Sequence, residues 1–225
     1  MRNVLLIGIA IFAFTGCSSP KNEKASQESK VLEYVDFNGA AEEIALPTPD
    51  KEGGMALLEA VNKRKSTKEF KTEKLDIQTI SNLFWVANGF NREDKRTVPT
   101  AQNKQELELY VVFKDAAYFY DAKEHSLVLV AKNDIRPDLI LYNQTYVNDA
   151  FLNILIVADL ELAASRDAAL MDAGFIGQNI YLYSVSADLG AVARVSFNAD
   201  ALKEDLKLKE NQEILLNLTV GVPNN

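Results

Sequence analysis

The sequence predicts an α+β domain in which helices cover both faces of a central sheet. Its 225 residues are enough for one domain with a hydrophobic core. The strand-length apolar runs mostly lack strict alternation with polar residues, which favours a sheet buried between helices. The predicted strands are Leu107–Phe113, Ala117–Tyr120, Leu127–Val130, Leu152–Val157, Ala191–Val195 and Glu213–Val220.

Helical patterns surround these strands. Asp76 is a suitable N-cap for the second helix, and Gly89 follows that helix as a stop signal. The longest helix is apolar or small around most of its circumference, so it is expected to be central or buried in a subunit interface. The predicted helices begin near Met55 and cover Asp76–Ala87, Asp138–Asn148, Asp167–Leu189 and Ala199–Leu206.

The first seventeen residues resemble the leader of a bacterial lipoprotein. Arg2 precedes an apolar run over Val4–Phe14, and Thr15-Gly16-Cys17 resembles the site at which a cysteine is acylated. The run is too short for a membrane span and has the layout of a signal peptide. We therefore expect a chain anchored to a membrane by lipid on Cys17, outside the cytoplasm. An ordinary secreted protein cleaved nearby is the alternative.

The chain then divides into two further regions. Ser18–Ser29 is polar and lacks apolar periodicity, which is typical of a flexible tether. Prolines near residue 48 and the pair Gly53-Gly54 mark a break before the folded domain. The predicted organisation is a signal peptide at 1–16, a tether and N-terminal arm at 17–54, and the domain at 55–225.

Composition excludes several classes of function. The net charge of −8 argues against a nucleic-acid partner, because phosphate contacts require clustered Lys and Arg. One cysteine, Cys17, and one histidine, His125, exclude cysteine- and histidine-based metal sites and most Ser–His catalysis. His125 lies between two apolar runs, and we predict that it is a solvent-facing hairpin residue.

A basic motif leaves the end of the first helix. Lys63-Arg64-Lys65-Ser66-Thr67-Lys68 gathers cations and hydroxyls in an acidic chain. A guanidinium, ammonium groups and hydroxyls are the donors that a phosphate requires. The alternative is a basic helix end that complements the helix dipole.

A polar motif precedes the first long strand. Residues 96–105, Arg-Thr-Val-Pro-Thr-Ala-Gln-Asn-Lys-Gln, offer neutral donors and acceptors that suit a polar heterocycle better than acid–base catalysis. A plain polar loop is the alternative. A third motif spans Gly174–Tyr183 and Asp188–Arg194, in which the two glycines at helical spacing either allow close helix packing or are small core residues.

Together these three motifs, in this order, resemble the nitroreductase-like family of FMN flavoproteins. Arg64–Phe70 is similar to the family's early basic motif. Pro99–Gln105 resembles its proline-serine loop, with Thr100 replacing a serine. Asp172–Tyr183 and Leu189–Val195 resemble its later helix and the strand that follows. The resemblance runs from about Met55 to Pro223.

The resemblance implies an α+β fold with a largely antiparallel sheet, a homodimer, and two FMN sites at the subunit interface. Arg64, Ser66 and Lys68 would hold the phosphate and ribityl chain, and Asn103 or Gln105 would reach the polar edge of the ring. Arg194 is either a phosphate or substrate group or a structural salt bridge. The implied cofactor contacts are Arg64, Lys65, Ser66, Lys68, Pro99, Thr100, Ala101, Asn103, Gln105, Ala193, Arg194 and Val195.

The expected function is two-electron transfer between a small-molecule substrate and an electron donor, with the flavin carrying the chemistry and no catalytic side chain or metal. Outside the cytoplasm the donor would differ from NAD(P)H, or the protein would oxidise an external substrate. The competing hypothesis is a domain that keeps the fold and binds a ligand or partner without turnover.

Overall fold

The computed structural model describes residues 33–224. The predicted signal peptide at 1–16, the lipidation site Cys17 and the tether as far as residue 32 lie outside this range. Within it, no helix is both long enough and apolar enough to cross a membrane.

The predicted strands and four of the five predicted helices are present. The helices are α1 (Leu57–Lys63), α2 (Ile77–Asn88), α3 (Arg166–Ser186) and α4 (Ala199–Asp205). The strands are β1 (Glu43–Ala45), β2 (Phe70–Lys71), β3 (Phe90–Arg92), β4 (Lys95–Arg96), β5 (Leu107–Val112), β6 (Ala117–Asp121), β7 (Ser126–Ala131), β8 (Leu152–Asp159), β9 (Gly190–Arg194) and β10 (Gln212–Pro223).

The helix predicted over 138–148 is wrong. Two short 3₁₀ turns, Arg136–Leu139 and Thr145–Val147, occupy this stretch. Tyr142 between them has φ of 60°, which no α-helix accommodates. Polar groups of this segment bond instead to a distant side chain, Arg194, so tertiary hydrogen bonds replace helical ones.

The main sheet is antiparallel, as the α+β prediction required. Its strands follow the order β1-β7-β6-β5-β8-β10-β2, and β9 pairs with β10 off this path. β10 is antiparallel to β8, β9 and β2. β3 and β4 form a separate small hairpin beside α2.

Helices bury both faces of the sheet. Leu107, Leu109 and Val111 of β5 pack with α2 and α3, whereas Tyr110 and Val112 face the second core, which includes residues of α4. All of β8 up to Ala158 is buried. This two-sided burial explains why the strand is continuously apolar in sequence.

Side-chain caps fix the helix ends. Asp76 accepts a hydrogen bond from the Thr79 amide at 3.0 Å, which confirms the predicted N-cap of α2. Gly89 ends that helix so close to Trp85 that a Cβ atom there would lie 2.5 Å from the indole ring. Ser165 caps α3 in the same way as Asp76, with Ala168 as the donor.

Residues ahead of α1 also pack on the sheet. Phe37 is buried and stacks on Phe113 with 4.0 Å between ring centroids. The Gly39 amide donates to the Tyr118 hydroxyl at 3.0 Å, and β1 pairs with β7. This segment therefore lies on the domain as an arm.

The solvent-facing prediction for His125 is wrong. His125 occupies the β6–β7 hairpin, but its ring turns inward: Nε2 lies 2.7 Å from Ser81 Oγ and Nδ1 lies 2.9 Å from the Tyr120 hydroxyl. Because Ser81 donates its own hydrogen to the Pro47 carbonyl, Nε2 carries the hydrogen and Nδ1 accepts from Tyr120. Burial lowers the pKa of His125, and nearby Lys51 lowers it further.

We predict a pH-dependent loss of stability from this histidine. Its unfolded form takes up a proton near pH 6.5, whereas the folded form resists protonation to lower pH. The free energy of unfolding, measured in urea, should therefore fall in wild type relative to His125→Gln as the pH drops below 6.5. His125 is the single histidine of the chain, so no other imidazole contributes. Parallel curves for the two proteins would contradict this assignment.

Candidate functional site

The basic motif forms the connection between α1 and β2. Lys63 pairs with Glu59 at 2.6 Å on the surface and supplies a cation to the last turn of α1. Arg64 lies over the Tyr181 ring, 5.3 Å from its centroid. Lys65 and Lys68 are exposed. In the part of the chain that the structure describes, no carboxylate forms a salt bridge with Arg64, Lys65 or Lys68, so their positive charge is available to a ligand.

This connection is held against β9. The Thr67 amide donates to the Ala191 carbonyl at 2.9 Å, next to a parallel bridge between Ser66 and Ala191. Gly190 allows this approach, because a Cβ atom there would lie 2.6 Å from the Thr67 side chain. The backbone of the basic motif is therefore fixed by the strand that the third motif contains.

Tyr181 joins the two motifs through its hydroxyl. The Ala193 amide donates to that hydroxyl at 2.8 Å, and Ser66 Oγ lies 3.0 Å from it. Either hydroxyl can donate in this bond, and where Tyr181 donates, the serine hydrogen is free for a ligand. Tyr181 lies within the third sequence motif, but the sequence alone gave this residue no role. No signal in the sequence distinguished it from the other hydroxyl-bearing residues of α3, Tyr183, Ser184 and Ser186.

The polar motif forms a tight loop before β5. Gln102, Asn103 and Gln105 have left-handed φ values of 55°, 56° and 52°. The Gln105 amide donates to Thr100 Oγ1 at 2.9 Å, and the Ala101 amide donates to Asp172 Oδ2 of α3 at 2.7 Å. These bonds hold a backbone conformation that residues other than glycine rarely adopt.

The two candidate ring contacts in this loop differ in availability. Gln105 accepts from Arg96 Nε at 3.1 Å and donates to the Asp94 carbonyl at 2.7 Å. Asn103 is exposed and has only a long contact, 3.4 Å, with the Gln105 amide among the described residues. Asn103 is therefore the side chain of the pair that remains free to meet a ligand.

Within one chain the polar loop and the basic motif contact different parts of α3. The loop bonds to Asp172, and the basic motif bonds to Tyr181, nine residues further along the helix. At 1.5 Å of rise per residue this spacing is about 14 Å along the helix axis. A single chain thus presents two separated halves of the predicted site.

Arg194 lies inside the protein. It is 6% exposed, and its guanidinium donates to the Leu139 carbonyl at 2.6 Å, Gln144 Oε1 at 3.0 Å and Asn217 Oδ1 at 2.6 Å. Burial lowers its pKa. Its acceptors in the described chain are neutral, so the salt-bridge alternative is wrong. These bonds give Arg194 a structural role and leave it poorly placed to meet a phosphate or substrate.

The end of β9 also differs from expectation. The Ala193 amide, predicted to approach the flavin, is already bonded to Tyr181. Val195, the next residue after the strand, is 73% exposed. Of the three predicted contacts Ala193, Arg194 and Val195, Val195 is therefore the most exposed to solvent.

We refer to the exposed apolar side chains of α1 and of the N-terminal half of α3 as the apolar surface; the two helices contact each other. Gly174 lies within this surface with open space around its Cα, whereas Gly177 packs in the core, where a Cβ would lie 3.1 Å from Leu216. Large exposed apolar patches of this kind commonly mark interaction sites. Its apolar members are Leu57, Leu58, Val61, Leu170, Met171 and Phe175.

Comparison with known proteins gives consistent matches. The model of the nitroreductase family matches residues 61–222. A protein of Methanocaldococcus jannaschii, provisionally named a nitroreductase, is 28% identical over 193 residues, covering 79% of this chain and 96% of that protein. A crystal structure from Ralstonia eutropha, provisionally titled a nitroreductase, is 30% identical with a TM-score of 0.74, covering 87% of this chain and 95% of that one.

A more distant structure carries a cofactor in its title. The FMN-dependent nitroreductase of Clostridium difficile is 17% identical with a TM-score of 0.54, covering 75% of this chain and 88% of that one. At this identity the likeness is one of fold.

Proposed function

The chain belongs to the nitroreductase family and has its fold, and on this premise we propose that it is an FMN-dependent oxidoreductase. The observation that carries the proposal is the cation cluster of Arg64, Lys65 and Lys68. These cations form no salt bridge within the described residues, and Tyr181 fixes the cluster's serine against β9. An acidic chain that leaves three adjacent cations unpaired has a site suited to a phosphate.

The donor types fit the phosphate end of FMN. The Arg64 guanidinium offers a bidentate contact, and Lys65 and Lys68 offer point charges. The Ser66 hydroxyl adds a neutral donor next to the charged ones. Tyr181 fixes that hydroxyl, so the site is partly organised before a ligand arrives.

The loop at 99–105 fits the ring end. Apart from Lys104, its polar side chains are neutral, and Asn103 can both donate to and accept from a heterocycle. Asp172 and Thr100 hold the backbone, so the loop orients its side chains with little residual freedom. Pro99 and Thr100 would line the ring, as the family resemblance implies.

We propose that a homodimer unites these two halves. The loop and the basic motif of one chain lie about 14 Å apart along α3 by helix rise. The apolar surface of α1 and α3 lies on the helix that carries both, and exposes Met171 at 65% and Phe175 at 47%. Burial of this surface against a second copy would bring the loop of one chain to the basic motif of the other.

When bound, FMN would supply reversible two-electron transfer, taking electrons from one substrate and giving them to a second in ping-pong order. The residues of the chain bind and orient. Arg64 and the lysines would neutralise the phosphate, and Asn103 of the 99–105 loop would offer the ring an uncharged amide. The proposed chemistry needs no protein nucleophile.

The alternative is a binding domain without turnover. Two of the predicted flavin contacts, the Ala193 amide and the Gln105 side chain, are already bonded to protein groups. This observation is the one that favours the alternative, and retention of flavin by the purified protein separates the two hypotheses.

We also propose that the protein is located outside the cytoplasm. A lipid on Cys17 would hold the domain outside the cytoplasm, with residues 18–29 as a polar tether. NAD(P)H is cytoplasmic, so the electrons would come from another donor or from an external substrate that is itself oxidised.

We predict that the purified domain binds one FMN per chain and that Arg64→Ala weakens this binding. The loss of a charge-assisted phosphate contact should cost about 1.5–3 kcal/mol, or roughly ten- to hundredfold in Kd. Visible absorbance after dialysis and flavin fluorescence titration measure both quantities. Lys123→Ala, which removes an exposed cation in the β6–β7 turn, is the matched control.

Two results would count against this assignment. Unchanged flavin affinity in Arg64→Ala would remove Arg64 from the site. A wild-type protein that is colourless and takes up no FMN would favour the binding domain.

We predict that Phe175→Glu converts the protein to a monomer in sedimentation velocity. A carboxylate in the apolar surface of α3 would have to be desolvated on association. FMN affinity should also fall in this monomeric variant, because in the proposed dimer each site takes residues from both chains. Tyr142→Glu, at an aromatic side chain that is 88% exposed outside this surface, should leave the oligomeric state unchanged. A dimeric Phe175→Glu protein would place the interface elsewhere.

We predict that Cys17→Ser abolishes lipid attachment. The thiol is the acylated group, and a serine hydroxyl does not replace it. Membrane fractionation of the full-length chain, with and without the substitution, measures this directly. Continued membrane partitioning of the variant would contradict the lipoprotein assignment.

A further inference from the structure

A buried carboxyl group follows the polar loop directly in sequence. Glu106, the residue after the loop, is 1% exposed, and neither of its carboxyl oxygens accepts a hydrogen bond from a donor in the described chain. Asp172 on α3 is 4% exposed and interacts with it. Burial raises the pKa of Glu106, and the contact with Asp172 raises it further.

The charged groups on the neighbouring elements do not compensate this pair. Asp159, at the end of β8, accepts from the Glu161 and Leu162 amides and from Asn211. Arg96 on β4 donates to Gln105 and to the Asn88 carbonyl. Glu106 and Asp172 form no salt bridge within the described residues, so two ionised carboxylates would face each other in the interior. Such a pair is strongly unfavourable.

We propose that Glu106 and Asp172 share one proton and that this proton holds the 99–105 loop in the conformation that meets the flavin. The role of the loop rests on the proposed function, whereas the shared proton does not. Protonated Glu106 donates to one oxygen of Asp172, which satisfies its own buried hydroxyl. The other oxygen, Asp172 Oδ2, accepts from the Ala101 amide. Both residues are positioning residues, since they act through the loop.

The loop needs such an anchor. Three of its residues, Gln102, Asn103 and Gln105, have left-handed backbone conformations without being glycine. Conformations of this kind persist only where the surroundings over-determine them. Loss of the proton would set two anions against each other, displace the Asp172 carboxylate from the Ala101 amide and release the loop from α3.

The direction of the pH dependence follows from the raised pKa. Unfolded Glu106 loses its proton near the ordinary value of 4.5, while folded Glu106 keeps its proton to higher pH. The stability that this proton contributes is complete below pH 4.5 and is lost as the pH rises through the raised pKa of folded Glu106. Flavin affinity, which depends on the protonated loop anchor, should fall over the same range, by at most about tenfold per pH unit.

The test uses the apo protein first and FMN second. We would measure the free energy of unfolding in urea from about pH 5 to about pH 9 for wild type and Glu106→Gln. The glutamine amide donates to Asp172 at every pH, so the variant should become progressively more stable than wild type as the pH rises. Glu124→Gln removes an exposed carboxylate and is the control, for which no such divergence is expected. FMN dissociation constants are then measured over the same range.

A second variant keeps the test decisive if Glu106→Gln folds poorly. In Asp172→Asn, the amide nitrogen can donate to ionised Glu106 while its oxygen accepts from Ala101, so this variant should also lose the wild-type pH dependence.

Each outcome decides one part of the proposal. Parallel apo profiles for wild type and the variant that folds would overturn the shared proton. Divergent apo profiles with FMN affinity independent of pH would overturn the positioning of the loop. Divergent apo profiles without FMN binding at any pH would support the shared proton and overturn the proposed function.

Discussion

The pairing of β10 is the constraint on which the rest of the structure depends. This strand supplies backbone hydrogen bonds to β8, to β9 and, at its end, to β2. β9 lies off the main strand path and is paired through β10 alone among the described strands. The basic motif bonds in turn to β9 at Ala191. A break in the β10–β9 ladder would therefore displace the candidate phosphate site as a unit.

Buried polar groups also hold elements of this framework together through hydrogen bonds. Arg194 carries its charge to the interior, where the Leu139 carbonyl and the side chains of Asn217 and Gln144 solvate it. Since leaving such acceptors unpaired would be costly, the arginine ties the irregular segment at 136–147 to β9 and β10. Asp172 ties the polar loop to α3 through the Ala101 amide, and the proposed proton on Glu106 would stabilise that bond in place of a cation.

Surface cations in ion pairs differ in role from the cations of the candidate phosphate site. The ion pairs around the surface, such as Lys63 with Glu59, lie in solvent and contribute little. The cations that matter for the proposed site are those left unpaired beside Ser66. An anion can bind there without breaking a salt bridge within the described residues. Tyr181 gives this cluster its fixed geometry, and in the proposed dimer the apolar surface of α3 would bring the cluster to the loop of a second chain.

Most of the fold was predictable from the sequence, because its determinants are local. The apolar run of β8 required burial on both faces, and Asp76 with Gly89 marked the ends of α2 through interactions within a few residues. The cations and hydroxyls of 63–68 indicated a phosphate site for the same reason, since their chemistry is independent of the fold.

Tertiary structure decided where the polar side chains finally lie. His125 turned inward because Ser81, 44 residues away, met its ring. The segment at 138–148 was not helical because Arg194, about 50 residues later, bonded to it. Glu106 is buried beside Asp172 of α3, 66 residues away in sequence, which no local pattern indicates. Local patterns fix hydrogen bonds between neighbours in sequence, whereas burial and pairing of polar groups depend on contacts that only the folded chain creates.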